Sequence, residues 1–266
     1  MLLCRARDIA RQWLSEKGRY LPGYVGAFVH GSANWLADDA VLPPTSDLDV
    51  MIVTDGPALQ ARPGKLLYQG VLLEISCLAH EEVRTPEQVL GCYYLAGSFH
   101  RPSVLDDPTG ELTALNAVVA QEYPRRQWVE RRCADAQSRI VRNLRGTGIE
   151  RIWPDRVSAW LFAAGVTCHV LLVAGLRNPT VRLRYLAVQE LLRDYGREDD
   201  YPRLLELLGG TRVTAAQMEQ HVDALADAFD AAGAVLRSPY AFAADLSADA
   251  RPVAIDGSRQ LIADGH

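Results

Sequence analysis

The hydrophobic pattern of this chain changes character near residue 111. Before that point, short apolar runs rich in β-branched residues alternate with turns that contain glycine and proline, which is typical of strands in a small sheet. Beyond it, long helical patterns follow one another, separated by turns. We therefore predict an α+β fold, in which a small mixed-sheet domain at 1–110 precedes a helical bundle domain at 111–266.

Several elements can be placed individually within this frame. A helix is expected at about 5–17, and Thr85 followed by Pro86 is typical of a helix start. A short helix and a loop are expected at 33–44, and the Pro-Gly sequence at 61–65 predicts a turn. Strands are predicted in 24–32, 47–53, 70–78 and 102–110, and the later helical patterns cover 111–145, 155–176, 180–196, 201–208 and 214–236.

The charge and the cysteine content exclude several classes of protein. The chain has 266 residues and a formal charge of −5 without basic blocks, so a long nucleic-acid backbone is not an expected partner. Its five cysteines are odd in number, widely spaced and without a Cys-x-x-Cys motif, which argues against a disulfide framework and against a zinc site. Reduced thiols and an amphipathic N-terminal helix, rather than a signal peptide, predict a cytoplasmic protein.

One segment, 159–176, is almost wholly apolar. It barely reaches the length of a membrane span, it contains His169, and no second segment of this kind accompanies it. We therefore predict a buried core helix here and no membrane partner.

Two aspartates interrupt the apolar run at 47–53. Because side chains alternate across a strand, Asp47 and Asp49 point to one face while Leu48, Val50 and Ile52 point to the core. Two neighbouring carboxylates repel each other and resist burial, so a positive partner is expected between them. A hard divalent cation with oxygen ligands, Mg²⁺ before Zn²⁺, suits such a pair.

A third carboxylate, Glu74, lies inside the predicted strand 70–78. If that strand pairs beside 47–53, Glu74 completes a cluster of three carboxylates. The alternatives are that Glu74 pairs with an arginine and that Asp47 and Asp49 are ordinary acids at a turn and a strand edge.

The Gly-Ser pair at the end of the first strand indicates a phosphate site. Gly31 allows a tight turn and a close approach of the backbone to a ligand. Ser32 is placed to cap a following helix, whose exposed N–H groups attract phosphate. A helix cap without any phosphate is the alternative.

Together, these residues resemble the DNA polymerase β nucleotidyltransferase superfamily. Within it, the sequence is most similar to the antibiotic nucleotidyltransferases, such as the kanamycin and streptomycin/spectinomycin adenylyltransferases. The likeness in motif covers about 28–78, and the helical half matches in architecture alone. One departure is the loop between Ser32 and Asp47, whose fourteen residues are a few more than the motif usually has. This longer loop reshapes the substrate entrance or marks a degraded site.

The resemblance implies a role for each motif residue. Ser32 binds the β- and γ-phosphates of ATP with the backbone of Gly31, and Ser46 steadies the loop or touches phosphate. Asp47 and Asp49 hold Mg²⁺ against the triphosphate. Glu74 completes the metal site, acts as general base on the incoming hydroxyl, or does both.

The predicted function is transfer of AMP from ATP to a hydroxyl of a small molecule, such as an aminoglycoside-like antibiotic. Two alternatives stay open: a protein AMP-transferase of toxin–antitoxin type, and a non-catalytic nucleotide-binding module. The sequence leaves the acceptor, the preferred base and the oligomeric state undetermined.

Overall fold

The computed structural model of the protein describes residues 1–56, 63–207, 213–237 and 243–265. Its fold is α+β, as predicted, with a five-stranded mixed sheet in the N-terminal part and helices after it. The order of the described strands is β3-β4-β2-β1-β5, in which β2 and β4 run parallel and every other neighbouring pair is antiparallel. The strands are β1 (Tyr24–Val29), β2 (Leu48–Thr54), β3 (Gly64–Tyr68), β4 (Val71–Ala79) and β5 (Val104–Asp106).

Helices account for most of the remaining described chain. The predicted start of the second helix is confirmed, because Thr85 and Gln88 form a reciprocal capping box with Pro86 at the first position. The helices are α1 (Leu3–Glu16), α2 (Pro86–Gly91), α3 (Glu111–Glu122), α4 (Arg126–Arg145), α5 (Trp153–Ala174), α6 (Arg184–Asp194), α7 (Asp200–Leu207), α8 (Ala215–Val235) and α9 (Gly257–Ala263).

The chain forms two compact units, each built from more than one stretch of sequence. The first comprises the described residues of Met1–Arg84, Ser103–Ala114 and Val213–His266, and it contains the whole sheet. The second comprises those of Thr85–Pro102 and Leu115–Arg212. Compactness alone defines these units, so the predicted division into domains at residue 110 stays a prediction.

The core of the first unit lies between α1 and one face of the sheet. The apolar stripe of α1 packs with the inward side chains of β2 and β4, and Leu48, Val50 and Ile52 are almost fully buried. The predicted orientation of β2 is therefore confirmed. Because neighbouring side chains on a strand alternate, burial of these three residues turns Asp49 toward the opposite face of the sheet.

In the second unit, the core forms where α5 meets α6 and α7, around Cys168, Leu172 and Val188. The N-terminal part of α5 is instead exposed, with Trp153 at 69% and Phe162 at 64%. By length and composition, α5 is the one helix in the described ranges that could cross a membrane, and 39% of its most apolar stretch is buried. The predicted core helix is thus confirmed for its C-terminal half, whereas its N-terminal end is not buried.

Three local predictions differ from the structure. The helix predicted at 111–145 is two helices, because Pro124 lacks the N–H that would continue the first one. The segment Gly64–Tyr68 forms strand β3, whereas the sequence predicted a turn at 61–65, part of which lies outside the described residues. The helix predicted after Ser32 is a single 3₁₀ turn, Ser32–Trp35.

Candidate active site

Three carboxylates converge on one face of the sheet. In the parallel pairing of β2 with β4, Asp49 lies directly beside Glu74, and Asp47 immediately precedes β2. One carboxylate oxygen of each residue lies within 4.8 Å of the other two, and all three residues are half-buried. The cluster expected from the sequence therefore exists, and no other group of three acidic, histidine or cysteine residues in the described part of the chain has this spacing.

Gly31 lies directly against this cluster. Its φ is +67°, a left-handed conformation that favours glycine, and the preceding His30 donates its backbone N–H to the carbonyl of Asp49 at 2.9 Å. A Cβ at Gly31 would overlap the carboxylate of Asp49, with Cγ only 2.9 Å away. Both the backbone conformation and the space available therefore require glycine at this position.

The two serines of the motif lie near the cluster in sequence but do not cap a helix. Ser32 is exposed and begins the 3₁₀ turn, whose N-cap is Gly31 with no side-chain cap. The predicted capping role of Ser32 is therefore wrong, and one short turn provides little helix dipole for a phosphate. Ser46 is half-buried and donates its backbone N–H to Pro43 at 3.0 Å, in the turn that leads into Asp47. The phosphate-binding roles of Gly31, Ser32 and Ser46 stay predictions.

A lysine that the sequence reasoning missed lies among the carboxylates. Nζ of Lys65 donates hydrogen bonds to Oδ2 of Asp47 and to Oε2 of Glu74. The side chain of Lys65 is 11% exposed, against 19% for Asp47 and 31% for Glu74. One ammonium therefore joins two of the three proposed metal ligands.

The local sequence contained a signal for this contact. β3 and β4 are joined by Gln69 and Gly70 with φ values of +47° and +79°, as expected of a two-residue hairpin whose turn has two left-handed residues. Such a hairpin fixes the pairing register, which places Lys65 directly opposite Glu74. Lys65 is also one of two lysines, with Lys17, in a chain that otherwise uses arginine.

The electrostatics of the cluster show a surplus of negative charge. Burial, followed by the charges of Asp47 and Glu74, raises the pKa of Asp49 well above its usual value. Burial also raises the pKa of Glu74. For Asp47, burial acts in the same direction, but the hydrogen bond and charge of Lys65 outweigh it and lower the pKa. These carboxylates raise the pKa of Lys65 against the effect of burial, so its ammonium remains charged.

His30 adds no positive charge to this site at neutral pH. Burial lowers the pKa of its imidazole to about 4, so the ring is neutral. Three carboxylates thus share one ammonium. An all-oxygen donor set with this spacing and this surplus charge fits a hard divalent cation.

No protein-family model matches the chain, and neither a curated protein nor a solved structure matches it significantly. The resemblance to nucleotidyltransferases therefore depends on the motif residues and their arrangement.

Proposed function

We propose that this protein is a Mg²⁺-dependent nucleotidyltransferase similar to the antibiotic adenylyltransferases, which transfers AMP from ATP to a hydroxyl of a small molecule. An aminoglycoside-like compound is the acceptor class that the resemblance favours. The observation that carries the proposal is the convergence of Asp47, Asp49 and Glu74 within 4.8 Å, beside a glycine that brings the backbone against Asp49.

The metal ligands in this proposal are Asp47, Asp49 and Glu74. When bound, Mg²⁺ would supply charge neutralisation for the triphosphate and for the leaving pyrophosphate. The raised pKa of Asp49 is consistent with this assignment, because burial and, after it, the neighbouring carboxylates Asp47 and Glu74 disfavour its charged form when no metal is bound.

Glu74 is the general base in the proposed reaction. Of the two carboxylates that bond to Lys65, Glu74 is the more exposed, at 31% against 19% for Asp47, so an incoming hydroxyl can reach it more easily. The acceptor hydroxyl gives its proton to Glu74 and its oxygen forms a bond to the α-phosphorus of ATP. The bond between the α-phosphorus and the bridging oxygen breaks, and its electron pair leaves with pyrophosphate.

The first test is transfer of AMP by the purified protein. ATP, Mg²⁺ and a panel of hydroxyl-bearing compounds are incubated with the protein, and both pyrophosphate release and acceptor mass are measured. We expect one acceptor class to gain one adenylyl group, and Asp49→Asn to abolish the gain. Asp55→Asn is the matched control, because Asp55 is exposed and follows the other end of β2. Turnover by Asp49→Asn equal to that of the wild type would contradict the proposal.

Lys65 favours a second candidate, the non-catalytic nucleotide-binding module. An ammonium already joins two of the three carboxylates, which is compatible with a site that binds nucleotide without turnover. Calorimetric binding of ATP without AMP transfer across the whole panel would favour this candidate. AMP found on a polypeptide in the same mass measurement would instead indicate a protein AMP-transferase.

A further inference from the structure

We propose that Lys65 is a positioning residue of the acidic cluster, which holds Asp47 and Glu74 in place before metal binds and is displaced by the metal. This inference rests on the proposed metal site. It adds that the chain carries its own competing cation, so Lys65 sets the affinity of the site for divalent metal.

The position of Lys65 is fixed by the sheet. The antiparallel register of β3 with β4 places it opposite Glu74, and its side chain extends past Glu74 to reach Asp47 beside the next strand. Burying a lysine is unfavourable unless its charge is paired, and this side chain is only 11% exposed. The two ion pairs are therefore what keeps Lys65 in this position.

The charges explain why Lys65 and a divalent metal compete. Without the ammonium, three carboxylates whose oxygens lie within 4.8 Å would repel one another. A metal bound to all three would lie next to an ammonium that bonds to two of them. Two cations so close in a partly buried site repel each other strongly, so binding of the metal requires the ammonium to leave.

The lysine side chain is flexible enough to move away from the carboxylates. Lys65 lies on β3, which is an edge strand of the described sheet, and its four-carbon side chain has several rotatable bonds. The ammonium can therefore turn away from the carboxylates while the β3–β4 pairing stays intact.

The test measures metal affinity and not only activity. Mg²⁺ binding to the full chain is measured by calorimetry, with Mn²⁺ titration by electron paramagnetic resonance as a second readout. We expect Lys65→Met to bind both metals at least about tenfold more tightly than the wild type, because the competing charge is gone. In EDTA the variant should unfold at a lower temperature, and excess Mg²⁺ should restore its stability.

Two further variants make the result specific. Lys17→Met removes the other lysine of the chain, which is exposed at the end of α1, and should leave metal affinity unchanged. Lys65→Arg keeps the positive charge and should keep the weaker affinity. This variant also tests the inference if Lys65→Met fails to fold, since much tighter binding by Lys65→Arg would overturn it.

The outcomes separate this inference from the proposed function. If the wild type binds metal and transfers AMP while Lys65→Met binds metal equally or more weakly, the inference about Lys65 is overturned and the proposed function stands. If the wild type and Lys65→Met both fail to bind divalent metal, the metal site and the role of Lys65 are both overturned.

Discussion

Gly31 lies so close to the carboxylate of Asp49 that no larger side chain fits at position 31. Replacing Gly31 with alanine would place a methyl group on the carboxylate of Asp49 and force a side chain into a left-handed backbone conformation. We expect Gly31→Ala to lower the free energy of unfolding by about 1–3 kcal/mol and to weaken metal binding. Chemical denaturation and Mn²⁺ titration measure the two effects.

The matched control for this variant is Gly196→Ala. Gly196 has a φ of +64°, close to that of Gly31, and no described atom lies within 4 Å of the Cβ that the substitution adds. This control therefore reports the cost of a side chain at positive φ without crowding. Equal losses of stability in both variants, with metal binding unchanged, would show that Gly31 does not shape the acidic cluster.

Asp49 should destabilise the protein at neutral pH when no metal is present. Because its pKa is raised in the folded state, the protonated form contributes stability at low pH, and that stability is lost as pH rises through the folded pKa. We expect Asp49→Asn in EDTA at pH 7 to raise the melting temperature by about 2–4 °C, the shift that about 1 kcal/mol produces in a domain of this size. On acidification Asp49 of the wild type becomes protonated, and the difference in melting temperature between the wild type and Asp49→Asn should disappear.

Thermal unfolding at several pH values measures this effect, with Asp55→Asn as the comparison because its carboxylate is exposed outside the cluster. A lower melting temperature for Asp49→Asn than for the wild type in EDTA would contradict this prediction. It would mean that the surrounding groups stabilise the ionised carboxylate of Asp49 in the folded protein.

At the scale of single elements, the β3–β4 hairpin determines where Lys65 lies. Gly70 has a φ of +79° and open space around it, so Gly70→Ala adds strain without a clash. We expect it to destabilise the protein by about 1 kcal/mol. Gln69→Asn, at a φ of +47°, should stabilise it slightly, because asparagine tolerates this conformation better than glutamine. Denaturant midpoints measure both changes, and a stabilised Gly70→Ala would contradict the turn assignment.

The sequence predicted elements whose signals are local. Alternation in 47–53 placed Asp47 and Asp49 together, and Thr85 followed by Pro86 marked the start of α2. The strand β3 was missed, because it begins at the glycine of the Pro63-Gly64 pair, a turn signal, and lies at a sheet edge. The adjacency of β2 and β4, on which the position of Glu74 depends, is a property of strand order that no local pattern encodes.

At the scale of the whole molecule, the C-terminal segment belongs to the compact unit that contains the sheet. Within the C-terminal segment, Arg251 donates hydrogen bonds to both carboxylate oxygens of Asp230. A Cβ at Gly64 on β3 would clash with Ala244 of this segment. The segment around Ala244 therefore covers part of the edge strand that carries Lys65. The sequence pattern could not reveal this contact, because it joins residues that are far apart in the chain.

Deleting 213–266 should therefore destabilise the sheet unit and expose the edge of β3. We expect a lower melting temperature and a tendency to aggregate, because an uncovered edge strand can pair with another chain. Thermal unfolding followed by circular dichroism and light scattering measures both effects. A truncated chain that unfolds at the same temperature as the full chain and stays monodisperse would contradict this role.

The claim on which the account depends is that Asp47, Asp49 and Glu74 bind one divalent cation together. The most direct measurement is anomalous diffraction from crystals of the protein soaked in Mn²⁺. We expect a peak about 2.0–2.4 Å from one oxygen of each carboxylate, with Lys65 turned away. A map at saturating Mn²⁺ that shows no peak among the three carboxylates, with Lys65 still joining Asp47 to Glu74, would contradict it.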